Sequence, residues 1–183
     1  MSTEFEYQDN EDLTTIFDLY QVRFEVDDLP AWLTKFRNIG TEEQTHIICF
    51  NRHMVAGKRH VQGALQFAHR AFTSGEQIAR SVEVEALLYA AGTRQTGLIG
   101  SFGIQKGMNE CYLCLMPPQE KALQKIRDLV TLVDEEDWEE IPAEKNELLR
   151  KIFGITEAEL GVTREGQFID LILERVALLT INR

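Results

Sequence analysis

EVEALLYAAGTRQTGLIGSFGIQKG, residues Glu83 to Gly107, carries a helical pattern that breaks at Gly92 and restarts behind Thr93-Arg94-Gln95. Val84, Leu87, Leu88 and Ala91 recur at helical spacing and form one apolar stripe. Gly92 follows the stripe, where a helix commonly ends on a left-handed residue. Thr93 then suits the N-cap of a second helix, whose apolar positions Leu98, Ile99 and Phe102 run to a stop at Gly103. This reading lifts Arg94 and Gln95 to a polar corner between two helices, a place better suited to binding than to catalysis.

Upstream, Lys58 to Phe72 predicts a helix with Val61, Ala64, Leu65, Ala68 and Phe72 as its core stripe. Lys58, Arg59, Gln62, Gln66 and Arg70 lie mostly on its other side. Ser74-Gly75 ends it. Before it, Ile47 to Phe50 reads as a buried strand, Asn51-Arg52 as a turn and Met54 to Ala56 as a short extended piece. Nearer the start, Leu13, Ile16, Phe17 and Tyr20 form an amphipathic piece, and Gln21 to Val26 alternates like a strand. Asp27 to Pro30 reads as a break, with a short helix from Trp32 to Phe36.

Downstream, Cys111 to Met116 predicts a strand that Pro117-Pro118 terminates before a helix from Gln119 to Val133. The acidic run DEEDWEE, 134–140, reads as a solvated loop with Trp138 packing back. Helices follow at Ala143 to Phe153 and Gln167 to Leu179, with a turn between them in which Thr156 and Glu159 make a capping box. Together these elements predict a single α+β domain over 1–183, helix-rich, with a small, mostly antiparallel sheet. Its α/β portion covers 1–133, and an acidic loop with C-terminal helices, 134–183, packs on it.

The 183 residues carry a net charge of -11, unevenly placed. Acidic against basic residues number 11 to 3 in 1–45, 6 to 10 in 46–133 and 13 to 6 in 134–183. A middle segment of +4 thus sits between segments of -8 and -7. Phosphate binding draws on Lys and Arg, so the total argues against a nucleic-acid partner while the distribution allows one basic face. No apolar run reaches the roughly 18 residues of a membrane helix. The acidic start resembles no secretory or transit signal, and three cysteines build no disulfide framework, so a cytoplasmic protein is expected.

Cys111 and Cys114 have CxxC spacing, but strand residues three apart point to opposite faces and no second pair completes a zinc site. Core cysteines are expected. Gly92, Gly97, Gly100, Gly103 and Gly107 match neither dinucleotide nor P-loop patterns. The four histidines are scattered, and the carboxylates fall mainly in solvated runs. No catalytic residue, metal or cofactor is therefore expected. What remains is Lys58, Arg59, His60, Arg70, Arg94 and Gln95 on two helix starts, with Lys106 beyond. Guanidinium groups and helix N-termini suit phosphate oxygens. On composition alone, such a site and a scatter of solvated cations stand level. A small nucleotide- or metabolite-binding regulatory protein using Gly92 to Gly107 is the alternative.

Three segments together resemble one family. They are Ala56-x-Lys58-x-His60-Val61 opening a helix, Glu85-Ala86-Leu87-Leu88-Tyr89-Ala90-Ala91-Gly92-Thr93-Arg94-Gln95, and Phe102-Gly103-Ile104 before a strand. Glu174 to Leu179 adds a similar C-terminal helix. The chain resembles the kinase-binding accessory subunit of the KEOPS complex, the PRPK-binding protein family, in an archaeal form. The likeness runs from His46 to Leu179 and leaves 1–45 and 134–140 unmatched. It implies a non-catalytic subunit that binds and regulates the kinase-like ATPase subunit of that complex. The complex places threonylcarbamoyl on the adenosine beside the anticodon of certain tRNAs. The resemblance also implies recruitment of tRNA by its single-stranded 3′ CCA end, here through Lys58, Arg59, His60, Arg94 and Gln95. Partner contact would fall on apolar helix positions, for which Ile99, Phe102, Val176 and Leu179 are the candidates.

Overall fold

The computed structural model describes residues 16–164 and 166–181. Its elements run β1 (Asp18–Val26), α1 (Leu29–Glu43), β2 (His46–Asn51), α2 (Lys58–Ser74), α3 (Val82–Ala91), β3 (Gly107–Met116), α4 (Glu120–Arg127), β4 (Thr131–Leu132), α5 (Ala143–Phe153), α6 (Glu157–Val162) and α7 (Phe168–Leu178). The four strands form one sheet in the order β2-β3-β1-β4, and every pairing is antiparallel.

β3 is the central strand, with β2 and β1 on its two sides. Residues 111–116 are buried without interruption, so both faces of this strand are covered. Because side chains alternate along a strand, Tyr112, Cys114 and Met116 enter one core and Cys111, Leu113 and Leu115 the other. Cys111 and Cys114 accordingly lie on opposite faces, each free and buried. The second core is covered by α1 and α4 through Trp32, Phe36, Ala122, Leu123 and Ile126. The first takes α2, α3, α5 and α7, so the helical C-terminal part packs on the sheet face that also carries the α2–α3 pair.

Several elements differ from the sequence expectation, each for a local reason. Leu13 lies outside the described residues. Asp27 to Pro30 starts a helix where a break was expected: the Asp28 carboxylate accepts from Ala31 N–H at 3.0 Å, and Pro30 sits in the first turn, where its missing N–H costs nothing. α1 therefore runs for 15 residues in place of the short Trp32–Phe36 helix. Met54 to Ala56 belongs to a turn, with Met54 N–H donating back to Asn51 O at 3.0 Å. The helix expected to reach Val133 stops at Arg127. Beyond it, Val130, Thr131 and Val133 are β-branched and favour extended backbone, and Val133 N–H joins Gln21 O at 2.8 Å.

The second helix expected after Thr93 is replaced by two 3-10 turns, Thr96–Leu98 and Gly100–Phe102. Gly97, Gly100 and Gly103 weaken an α-helix, and the Thr93 hydroxyl accepts from Gln95 N–H at 3.2 Å, a turn that competes with helix. The stripe over Val84 to Ala91 ends where expected. Gly92 has φ +61 and its N–H returns to Leu88 and Tyr89 carbonyls. The capping box of Thr156 and Glu159 is also formed, with both reciprocal hydrogen bonds present.

Gly40 shows how two effects of opposite sign are weighed. Replacing a mid-helix glycine by alanine ordinarily stabilises by roughly 1 kcal/mol. Here a Cβ would lie 2.6 Å from the backbone oxygen of Thr45, which cannot swing aside. Overpacking of this kind costs about 1–3 kcal/mol, so the clash outweighs the propensity. Gly40→Ala is expected to lower stability in urea denaturation, and a gain would show that α1 is not held against the start of β2 as described.

Candidate functional site

α2 and α3 form an antiparallel hairpin, so the start of α2 and the end of α3 lie at the same end of the molecule. Two buried polar residues hold this arrangement. Glu85, without exposed surface, accepts from Ile78 N–H at 3.0 Å and Ala79 N–H at 2.6 Å, which fixes the connection between the helices. His60, equally buried, works at the other end. Ala56 N–H can only donate, and it does so to Nδ1 at 3.0 Å. The ring proton is therefore on Nε2, which donates to Ala90 O at 2.9 Å. His60 thus ties the first turn of α2 to the last turn of α3, two residues from Gly92. Phe153 of α5 meets the His60 ring edge-on at 5.4 Å and lies against Gly92, where a Cβ would come within 3.3 Å of it.

This tie places the two groups of sequence candidates at one end of the hairpin. Lys58 and Arg59 are exposed at the start of α2, and Arg94 and Gln95 are exposed just after α3. Among the described residues the side chains of Lys58, Arg94 and Gln95 have no hydrogen bond or ion pair, whereas Arg59 Nη2 is 2.7 Å from Asp170 of α7. His60 is placed differently: it lies inside the fold and acts on this surface only through the backbone it positions. Arg70 stands over the Phe67 ring at 5.7 Å, further along α2, and Lys106 is exposed before β3.

The four apolar candidates are also interior. Ile99, Phe102, Val176 and Leu179 are each at most 7% exposed and belong to the core around α2 and α3. Each can influence a partner only through the surface it supports. Exposed apolar residues lie near them in sequence, Leu98 beside Ile99 and Leu178 and Ile181 close to Leu179; Leu33, Met108, Leu148 and Val162 are exposed elsewhere. Helical periodicity marks an apolar stripe, but at its edges sequence alone leaves open which of two apolar neighbours is covered.

The acidic run 134–140 is more than a solvated loop. Trp138 is 3% exposed, edge-on to Tyr112 at 5.5 Å, with the Arg52 guanidinium 4.6 Å above its ring. Arg23 and Arg52 both pair with Glu110, and Arg23 also reaches Glu136 at 3.0 Å. Burying an indole removes about 200 Å² from water, on the order of 5 kcal/mol, whereas each exposed ion pair adds less than about 1. Trp138 is thus the main anchor of this strap. It delivers Glu139 to the start of α2, where the carboxylate accepts from Lys58 N–H at 3.0 and 3.2 Å and from the Tyr112 hydroxyl at 3.0 Å. Gly57, the residue before α2, has no side chain to cap the helix, and a Cβ there would lie 2.7 Å from Glu139. Lys145 faces the same region. Burial, and secondly Arg52, push it down to about 8, while Glu139 opposes the shift.

The remaining chemistry is sparse. Among the described residues no three His, Cys, Asp or Glu side chains are arranged to hold a metal ion, and no helix is long and apolar enough to cross a membrane. The glycine-bearing segment follows a helix and precedes a strand, the reverse of the strand–loop–helix order of phosphate loops. A shallow groove of about 790 Å³ lies along α5, lined by Ile141, Asn146, Glu147, Arg150 and Ile155 among others, and none of the sequence candidates lines it.

Comparison with known proteins places the chain in a family. The model of the family described as Kinase binding protein CGI-121 matches residues 28–180. That span includes α1 and the acidic strap, both outside the likeness read from sequence. A curated relative, Regulatory protein Cgi121 of Methanocaldococcus jannaschii, is 31% identical over 134 residues, covering 73% of this chain and 82% of the relative. The chain belongs to this family.

The His60 tie has a pH signature. Burial, and to a lesser degree Lys145, push the imidazole down to about 4 from its ordinary 6.5. The unfolded chain therefore takes up this proton first, and the stability that neutral His60 contributes is complete above pH 6.5 and lost as pH falls towards 4. The loss amounts to about 3 kcal/mol. His60→Gln is expected to lower stability at pH 7 by about 1–3 kcal/mol and to flatten the pH dependence between 6.5 and 4. Denaturation curves of both proteins across that range test it; parallel pH profiles would contradict the assignment.

Proposed function

We propose that this member of the kinase-binding protein CGI-121 family is a non-catalytic regulatory subunit of a KEOPS-like complex. It binds and regulates a kinase-like ATPase subunit and recruits tRNA by its single-stranded 3′ CCA end. In this way it supports threonylcarbamoyl modification of the adenosine beside the anticodon. The observation that carries the RNA reading is the end of the α2–α3 hairpin, where Lys58, Arg94 and Gln95 are exposed and, among the described residues, unpaired, while His60 fixes the backbone beneath them. Arg94 suits a phosphate or a base edge, Gln95 suits a base, and Lys58 supplies a mobile positive charge.

The net charge of -11 does not decide against this reading. At physiological ionic strength charges are screened beyond about 8 Å, so a phosphate at this surface responds mainly to nearby groups. The distant acidic residues lower the affinity of the isolated chain and suit a partner with a basic surface. The kinase-like partner is assigned to exposed Leu98, Leu178 and Ile181, which the four buried candidates support from below.

Two measurements test these roles. The purified chain is expected to bind intact tRNA more tightly than tRNA lacking its CCA end, and Lys58→Ala with Arg94→Ala should weaken binding about tenfold without altering thermal stability. Two phosphate contacts fewer should also reduce the slope of log K against log salt by about 2. Equal affinity for the two tRNAs would remove the recruitment role. For the partner, Leu178→Lys should weaken capture of the kinase-like subunit at unchanged stability, and undiminished capture would exclude this surface.

A further inference from the structure

Two acidic side chains from separate elements already occupy anion-binding groups at the start of α2, one the backbone N–H of Lys58 and the other the Arg59 guanidinium. Glu139 reaches in from the strap, and both of its oxygens approach Lys58 N–H, at 3.0 and 3.2 Å. The carboxylate sits against Gly57, in a conformation of φ +89 that leaves the backbone open to it. Asp170 comes from α7 and pairs with Arg59 at 2.7 Å, each side chain being about half exposed. A carboxylate that accepts from a helix N-terminus and one that engages a guanidinium each reproduce the contacts a phosphate oxygen makes.

We infer that Glu139 and Asp170 are built-in competitors for RNA phosphate: in the RNA-free chain they hold the α2 N-terminus and Arg59, and RNA must displace them to bind. The inference rests on the RNA reading of this surface. It does not require the strap to leave. Trp138 stays buried, and rotation of the Glu139 side chain is enough: its backbone N–H is held separately by Asp137 at 2.9 Å, and the Tyr112 hydroxyl it releases keeps Trp138 O as an acceptor at 3.3 Å. Asp170 needs only to release an exposed ion pair, which costs less than about 1 kcal/mol. The consequence is selectivity. A chain with these two competitors binds weakly to any single phosphate, and an RNA end that also engages Arg94 and Gln95 gains enough to displace them.

The test compares wild type, Asp170→Asn, and Glu139→Gln with Asp170→Asn for affinity to intact tRNA and to tRNA lacking CCA, over a range of salt. A control, Glu25→Gln with Asp128→Asn, removes the same charge from exposed positions at the end of β1 and the end of α4. The double competitor variant is expected to bind intact tRNA at least fivefold more tightly than wild type and the control, with a salt slope steeper by about 1 as the freed Arg59 meets phosphate. Truncated tRNA should gain proportionally more, narrowing the discrimination. Asp170→Asn alone carries the same sign and guards against a fold defect in the double variant. CCA-dependent binding by wild type with no change of affinity or slope in either variant, or a gain matched by the control, overturns the competitor role and leaves the RNA reading intact. Absence of CCA-dependent binding in wild type and variants alike overturns the RNA reading itself.

Discussion

The arrangement of this protein's surface depends on one buried imidazole. His60 accepts from Ala56 N–H and donates to Ala90 O, and it is the residue that joins the entry of α2 to the exit of α3. Without it two buried backbone groups would lose their partners, at roughly 1–3 kcal/mol each. The tie also settles register. Lys58 and Arg59 stand just before it on one helix, and Gly92 turns the chain just after it on the other, so Arg94 and Gln95 emerge at the same end of the hairpin. Glu85 completes the clamp at the opposite end by holding Ile78 and Ala79.

The acidic segments have specific tasks in this setting. Glu110 and Glu136 gather Arg23 and Arg52 around the strap. Glu139 caps a helix that begins with glycine, and Asp170 holds Arg59. Glu110, Glu136 and Asp170 thereby pair with Arg23, Arg52 and Arg59. Among the described residues, the unpaired group at the hairpin end is small: Lys58 and Arg94, with Gln95 beside them. A strongly acidic chain can in this way present a narrow site for an anionic polymer while keeping the rest of its surface unattractive to it.

Much of the fold was legible in the sequence because its strongest signals are local. The stripe over Val84 to Ala91, the glycine after it and the run Cys111 to Met116 all declare their structure within one window. The sheet and the C-terminal helices followed from such signals. Elements set by competition were misread. Pro30 marks the first turn of α1 as readily as a break, and the glycines after Thr93 turned an expected helix into two 3-10 turns. The site was half legible. Exposure of Lys58, Arg94 and Gln95 follows from their helix positions, but burial of His60 depends on Ala90, 30 residues away. Pairing of Arg59 with Asp170 spans 111 residues, and no sequence window contains it. Gly57 before a helix offered the one available hint of Glu139, since a helix start without a capping side chain needs an acceptor from elsewhere.

Amide chemical shifts decide whether the start of α2 and the end of α3 act as the one RNA-facing surface proposed for them. The isotope-labelled chain would be titrated with a short single-stranded RNA ending in CCA. The account predicts that the amides of Lys58 and Arg59 and those of Thr93 to Gln95 shift together, along one binding curve. Shifts confined to the α1–α4 side of the sheet, or two groups of shifts with different affinities, would contradict it.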